Sequence, residues 1–487
     1  MASSSSRPEV ELDDFDEKTI PQHNQDILSE DPLNTSHQDA ALHRDSPTTT
    51  SSPRNTDFLT GLRGLAAFLV FFYHHLSWFY DPRDDLLFGY GAGPNGLHSL
   101  FQLPFFRVFF TGGNAAVAIF FVLSGYVLSI SPLKKLRDGQ LQKTYTSLIS
   151  STIRRPFRLF IPPAAFSLIF ALWMQAPFGL APKLGFPEPE ANIFAELSRW
   201  IWEITRLINP FVGHGQQDHW FVYNPPAYTI ATEFKGSIIV FFLLALYSRV
   251  PPSIRMALFI VTGLVCMGTY QWSTACFMWG VTLAMNDQEL YDHTLLPRQI
   301  SPLGKSVIHH ISFLTGWLLL CQPAGIRELQ VSSNTLGFGF LTSLIPKAYA
   351  ENEYWRWWQS WGALLLVYGV LRISWLQHFF STKALQYLGR ISFSLYLIHM
   401  PMIWTLSDKV YRTFGRQVQP EITSWLDNLL VIPDFGIHGL TTRFLVSLAI
   451  IVPMNMAIAH VGTVFLDEPS VTVGRRIVTR LGIEGKR

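Results

Sequence analysis

Charge is scarce in this chain. Only 15% of its 487 residues are Asp, Glu, Lys or Arg, against roughly 25% in a soluble domain, so most of its length cannot form a water-facing surface. Cysteine is scarcer: Cys266, Cys276 and Cys321 are the only three. Each lies in an apolar run, which offers neither a disulfide framework nor metal-ligand spacing. No apolar stretch precedes Phe58, so no signal peptide is expected. A nucleophile elbow, a phosphate loop, a dinucleotide fingerprint and a His-Glu-x-x-His pair are all missing. His214, Asp218 and His219 share a loop but make a weak metal site, and no metal or nucleic acid is expected. No inverted internal repeat of the transporter kind is visible.

What the chain does have is apolar length: 48% hydrophobic residues, with 38 Phe and 15 Trp. Apolar runs near 20 residues fall at 57–79, 107–130, 157–178, 227–248, 255–271, 273–286, 307–326, 358–380, 384–406 and 442–466. The expected fold is therefore an all-α polytopic membrane protein, a bundle of about ten transmembrane helices. The longer connections 179–226, 327–357 and 407–441 carry aromatics and predict short interfacial helices. Lys134, Lys135, Arg137, Lys143, Arg154 and Arg155 crowd the segment between the second and third spans, and the C-terminus is also basic. By the positive-inside rule both lie in the cytosol, with the N-terminus. Residues 1–56 read as a disordered cytosolic extension, in which the sequon at Asn34 would stay unmodified. Residues 57–472 form the membrane domain, and 473–487 a basic amphipathic cytosolic tail lying on the membrane surface.

Ionisable groups inside these spans are costly, about 2.5–3.5 kcal/mol at a helix centre on insertion scales. In "TGLRGLAAFLVFFYHHLSWF", Arg63 and His74 are eleven positions apart, hence on one helix face with a rise of about 16 Å between them. His75 points roughly 100° away. Gly61, Gly64 and Ala67 would let another helix come close. Arg63 could snorkel and His74 could satisfy a carbonyl, but two groups in register on one face favour a shared wet site. Glu233 and Lys235 sit two apart and so cannot face each other; Arg63 or His74 is the natural partner for Glu233, which could equally be a structural ion-pair member. Ser392, Tyr396 and His399 lie at i, i+4 and i+7 on one face, where they could bridge helices or line a cavity. Arg154, Arg155 and Arg158 cluster where a helix enters the membrane. They read as an anchor or as a phosphate site, since guanidinium forks bind phosphate bidentately.

Taken in order, these segments resemble the integral-membrane acyltransferase 3 family over roughly residues 57–470. Gly61-Leu62-Arg63-Gly64 followed by His74 is similar to the family's Arg-x10-His signature. Phe121-Val122-Leu123-Ser124-Gly125, Arg155-Pro156-Phe157-Arg158, "AYTIATEFKGS", "LGRISFSLYLIHMP" and "FLDEPSVTVGRR" resemble its further motifs. Thr60 and Tyr228 depart from it, standing where the family often has Asp and Trp. The Glu-Phe-Lys-Gly version resembles the filamentous-fungal branch, which often acylates secondary metabolites.

The resemblance implies transfer of a short acyl group, usually acetyl, from acyl-CoA to a hydroxyl, with acyl-CoA as co-substrate and no permanently bound cofactor. It implies His74 as general base, Arg63 as an orienting or stabilising charge, and Glu233 paired with one of them. Arg155 and Arg158 would hold the coenzyme A phosphates, and Ser392, Tyr396 and His399 would line the cavity. A small lipophilic metabolite is the expected acceptor. A glycan or lipid acceptor, or a proton-coupled transporter using the same ionisable groups, are the competing readings. The endoplasmic reticulum is the default address for such a chain.

Overall fold

The computed structural model describes residues 56–81, 99–177, 184–209, 220–288, 299–324 and 329–483. The expected extension up to Asn55, the sequon at Asn34 and the His214, Asp218 and His219 loop lie outside them. Every regular element among the described residues is a helix. That is what lipid demands of a single chain without a barrel, because each backbone N–H and C=O must be satisfied within its own segment.

The principal helices are α1 (Asp57–Tyr80), α2 (Gly113–Arg137), α3 (Leu141–Met174), α4 (Ile193–Ile208), α5 (Tyr228–Leu246), α6 (Pro252–Gly268), α7 (Trp272–Gln288), α8 (Pro302–Leu320), α9 (Trp355–Val370), α10 (Ser374–Phe380), α11 (Lys383–Met402), α12 (Thr442–Gly462) and α13 (Glu468–Arg480). By length and composition, four stretches can cross a membrane: Gly113–Arg137, Leu141–Met174, Pro225–Leu246 and Thr442–Arg480. A fifth would be α9 with α10, which are bent by 97° at the break between them. The expected count of about ten is thus not established. Helices stand near the other expected places, but α6 and α7 have only 17 residues each, and Arg63 with two histidines dilutes the hydropathy of α1. Outward apolar side chains such as Ile169, Phe242, Val265, Ile311 and Val461 are each more than half exposed. In water they would form large apolar patches; in lipid they are solvated, and this is a membrane protein.

Two boundaries differ from the sequence reading. The basic segment expected as a cytosolic connection is helical: α2 runs on to Arg137, α3 begins at Leu141, and the turn between them is made at Gly139, whose φ is +71°. Leu133, Thr144 and Leu148 on this segment are buried, so tertiary packing holds the helices well past the last apolar run. At the other end, α13 carries the arginines of the expected tail and packs along α3, with Gly474 against the backbone of Arg154. Its Glu468 pairs with Arg390 of α11 at 2.9 Å.

Helices stand in the connections 179–226 and 327–357, where interfacial ones were expected. α4 is capped by Asn192, whose Oδ1 accepts from the Phe194 and Ala195 amides. It exposes Phe194 and Trp202 and buries Glu196. Burial opposes ionisation of Glu196, but bonds from the Glu190 amide, Tyr223 and Arg199 outweigh it and hold its pKa below the usual value. Short helical turns at Leu329–Ser333, Gly339–Ser343 and Lys347–Ala350 fill the connection before α9.

Close helix contact fixes where the site lies. α1 lies along α11 so tightly that a Cβ on Gly64 would stand 2.4 Å from the Gly389 amide nitrogen. α2 and α7 meet the same way, a Cβ on Gly125 falling 2.1 Å from the Phe277 carbonyl. One core gathers around Phe121, Phe259 and Trp279, and a second around Phe71, Phe170 and Ile391.

Candidate active site

A cavity of about 260 Å³ lies among α1, α2, α3, α5 and α11. Arg63, Arg155, Arg158, Glu233, Ser392 and Tyr396 all face it, against an apolar wall of α2 that includes Phe120, Val127 and Leu128. Six of the eight residues singled out from sequence thus meet at one place, although five helices supply its wall.

The partner of Glu233 is corrected. It is neither Arg63 nor His74: Arg155 Nη2 donates to Glu233 Oε1 at 2.6 Å. Ser124 Oγ donates to the same oxygen at 3.2 Å, and Arg155 Nε donates to Ser237 Oγ at 3.0 Å. Arg155 is therefore tied into α5 instead of standing free at the mouth. By contrast, the guanidiniums of Arg63 and Arg158 make no hydrogen bond among the described residues, and Arg63 Nε is buried. They are the cations left available to an anionic ligand. Ser392 Oγ turns back to the Gly389 carbonyl at 2.8 Å.

The histidines lie apart from this cavity. Neither His74 nor His399 is on its wall, which corrects the expectation for His399. The ring of His399 stands 5.5 Å from that of Tyr396, and His74 is 4.9 Å from His399, centre to centre. Tyr396 thus touches both the cavity and the histidine pair. His74 Nδ1–H donates to the Val70 carbonyl at 2.9 Å and His399 Nδ1–H to the Tyr396 carbonyl at 2.6 Å. A carbonyl only accepts, so both rings carry their proton on Nδ1 and present a basic lone pair on Nε2. His75 turns away and meets the Tyr411 hydroxyl at 2.9 Å.

Two residues near the site escaped the sequence reading. Asp467 ends a π-helical turn, Thr463–Asp467, within electrostatic reach of Arg158 and Arg63. Its Oδ1 is buried without a hydrogen-bond partner. The sequence showed it only as the neighbour of a Glu-Pro pair. Arg356 is fully buried, stacks on Trp272 at 4.2 Å, and donates to the Asn114 carbonyl at 2.9 Å and to the Tyr228 hydroxyl at 3.3 Å. Its position at the head of an apolar, Trp-rich run was the available signal.

Residues 56–453 match the family described as an acyltransferase domain. The chain belongs to the acyltransferase 3 family. It is 30% identical to the O-acetyltransferase PaAT-1 of Phomopsis amygdali over 390 residues, 74% of each chain. It is 22% identical to acyltransferase R4 of a Phoma species, covering 72% of this chain and 83% of that one. With acyltransferase clz18 of Cochliobolus lunatus the identity is 23%, over 76% and 85%. No solved structure matches significantly. The protein is therefore an enzyme that transfers acyl groups other than aminoacyl, acting between an acyl donor and an acceptor. Among the described residues of this acyltransferase, no cluster of three His, Cys, Asp or Glu side chains could hold a metal.

Proposed function

We propose that this acyltransferase moves a short acyl group, acetyl in the simplest case, from acyl-CoA to a hydroxyl of a small lipophilic metabolite. The observation that carries this reading is the cavity's two-sided wall. Two arginines that make no hydrogen bond among the described residues, Arg63 and Arg158, face it from one part, while Phe120, Val127 and Leu128 offer an apolar surface from another. Guanidinium forks suit the phosphates of coenzyme A, and the apolar wall suits its pantetheine arm and acyl chain. The relative named as an O-acetyltransferase supports acetyl.

In this reading Arg158 and Arg63 bind the donor's phosphates, and the Arg155–Glu233 pair braces the wall beside them. The acceptor hydroxyl gives its proton to His74 Nε2 as its oxygen attacks the thioester carbonyl carbon. The C–S bond then breaks, and the departing thiolate takes the proton back from His74. Tyr396 touches both cavity and histidines, so rotation of its side chain joins donor to base. Arg63 lies about 16 Å from His74 along α1, a span that the extended pantetheine arm bridges. The wider layout belongs to the same proposal: about ten spans over residues 57–472, cytosolic termini, and an endoplasmic-reticulum membrane.

The test uses microsomes carrying wild type or His74→Ala at matched expression, with labelled acetyl-CoA and an extract of the host's hydroxylated metabolites. Mass spectrometry follows the label. An acetylated product from wild type alone is the expected result. Equal product from both removes His74 as the base, and no product from either, with coenzyme A failing to bind, removes the reading.

A further inference from the structure

The feature the mechanism leaves unused is the second imidazole. His399 is fully buried on α11, and its Nε2 has no hydrogen-bond partner. A buried acceptor without a donor is costly, so its presence beside the reacting group calls for a reason. The other ring nitrogen is committed to the Tyr396 carbonyl at 2.6 Å, which fixes the Nε2 lone pair as the open one. The nearest titratable ring is His74, 4.9 Å away and tilted by 42°. His74 is thus the nearest group able to offer that lone pair a proton, and its Nε2 carries one only when the ring is protonated.

Resting on the acyltransfer reading above, we propose that His399 is a positioning residue for the base. Its Nε2 lone pair accepts a hydrogen bond from His74 Nε2–H while His74 is an imidazolium. The proton balance is closed: the acceptor O–H bond breaks, its proton sits on His74 Nε2, the new O–C bond forms, and the C–S bond breaks. The thiolate then takes the same proton, and both imidazoles return neutral. His399 itself gains and loses nothing, and its lone pair holds the proton in place between those two events. The groups facing the pair are few, and Tyr73, whose ring meets that of His74 edge-on at 5.1 Å, is one of them. His75 adjoins His74 on α1 and bonds Tyr411, and Tyr396 lies one turn before His399 on α11. His74 and His75 are the titratable groups that act electrostatically on His399. Among the described residues no carboxylate acts electrostatically on His399.

The test measures release of coenzyme A thiol from acetyl-CoA by the full-length, detergent-solubilised chain, with water or a lipophilic secondary alcohol as acceptor, across pH. Wild type, His399→Phe and His399→Gln are compared, with folding matched by size-exclusion profile. His399→Phe keeps the ring volume without the lone pair. It should lower kcat ten- to a hundredfold, the value of a hydrogen bond to a charged group, with little change in the donor KM. The acid limb of kcat/KM should move to lower pH, because His74 loses the acceptor that favours its protonated form. His399→Gln restores an acceptor oxygen and should recover part of both effects. If the Phe variant fails to fold, the Gln variant's pH profile decides alone: a limb between wild type and lower pH supports the pair. An unmoved limb in either folded variant, whatever the rate, reduces His399 to a space-filler and overturns the proposal. Failure of the underlying reading would look different, with His74→Ala as active as wild type.

Discussion

Glu233 offers the sharpest test of how the cavity works, because two roles for it predict opposite outcomes. If it braces the arginines, Glu233→Gln should damage stability more than chemistry. The pair with Arg155 is short, 2.6 Å, and the side chains are only 10% and 22% exposed. At an effective dielectric near 20, such charges attract by up to roughly 6 kcal/mol, most of which desolvation cancels. Stripping one partner from a fully buried pair costs about 3–5 kcal/mol. Because the carboxylate opens partly onto the cavity, solvent screening brings that down to about 2–3 kcal/mol. The midpoint of thermal unfolding in detergent should fall by about 2–3 °C, given the unfolding entropy of a chain this long. Donor binding should not suffer: three guanidiniums and one carboxylate face the cavity, and removing the carboxylate raises the wall from +2 to +3. The expected pattern is a lower melting midpoint, an equal or lower KM for acetyl-CoA, and a kcat within about tenfold of wild type. An unchanged midpoint with kcat collapsing at constant KM would refute this, because it would put Glu233 at the chemistry, as the sequence alone allowed.

Two further outcomes follow from the same geometry. Arg158→Ala should leave the melting midpoint within measurement error, since its guanidinium makes no hydrogen bond among the described residues. It should raise the acetyl-CoA KM roughly tenfold to a hundredfold, as charge-assisted bonds of about 1.5–3 kcal/mol are lost; an unchanged KM places the phosphates elsewhere. Gly64→Ala should destabilise by about 1–3 kcal/mol or more, because the new methyl meets the Gly389 backbone at 2.4 Å and not a yielding side chain. A wild-type melting curve for that variant would mean that α1 and α11 are less closely packed.

The sequence was most informative where one helix sufficed. Face counting put Ser392 and Tyr396 on one side of α11, where both face the cavity, because helical periodicity is local; it also grouped His74 with Arg63 and His399 with Tyr396, and neither histidine reaches the cavity wall. It failed where two helices had to be brought together. Glu233 and Arg155 lie 78 positions apart, on α5 and α3, and no spacing rule could pair them. Hydropathy likewise ended α2 too early, since Leu133 and Leu148 are held helical by packing against buried neighbours and not by lipid. Asp467 was hidden for another reason. A π-helical turn rotates it off the regular face of its helix, so a period of 3.6 misplaces it. The bonds of the Tyr396 hydroxyl to Thr229 and the Pro226 carbonyl depend on how α11 is rotated against α5, which composition does not record.

The tight union of α1 and α11 also has a meaning in time. α1 holds Arg63 and His74, and its closest neighbour, α11, starts at Lys383. His399 comes 325 positions after His74, which at about 5–20 residues per second takes a ribosome roughly 16–65 s. Through that interval the first helix must be kept in the membrane, or beside the insertion machinery, without the helix it packs against most tightly. The two ends of the bundle join late, and a nascent chain released before α11 emerges holds His74 without His399.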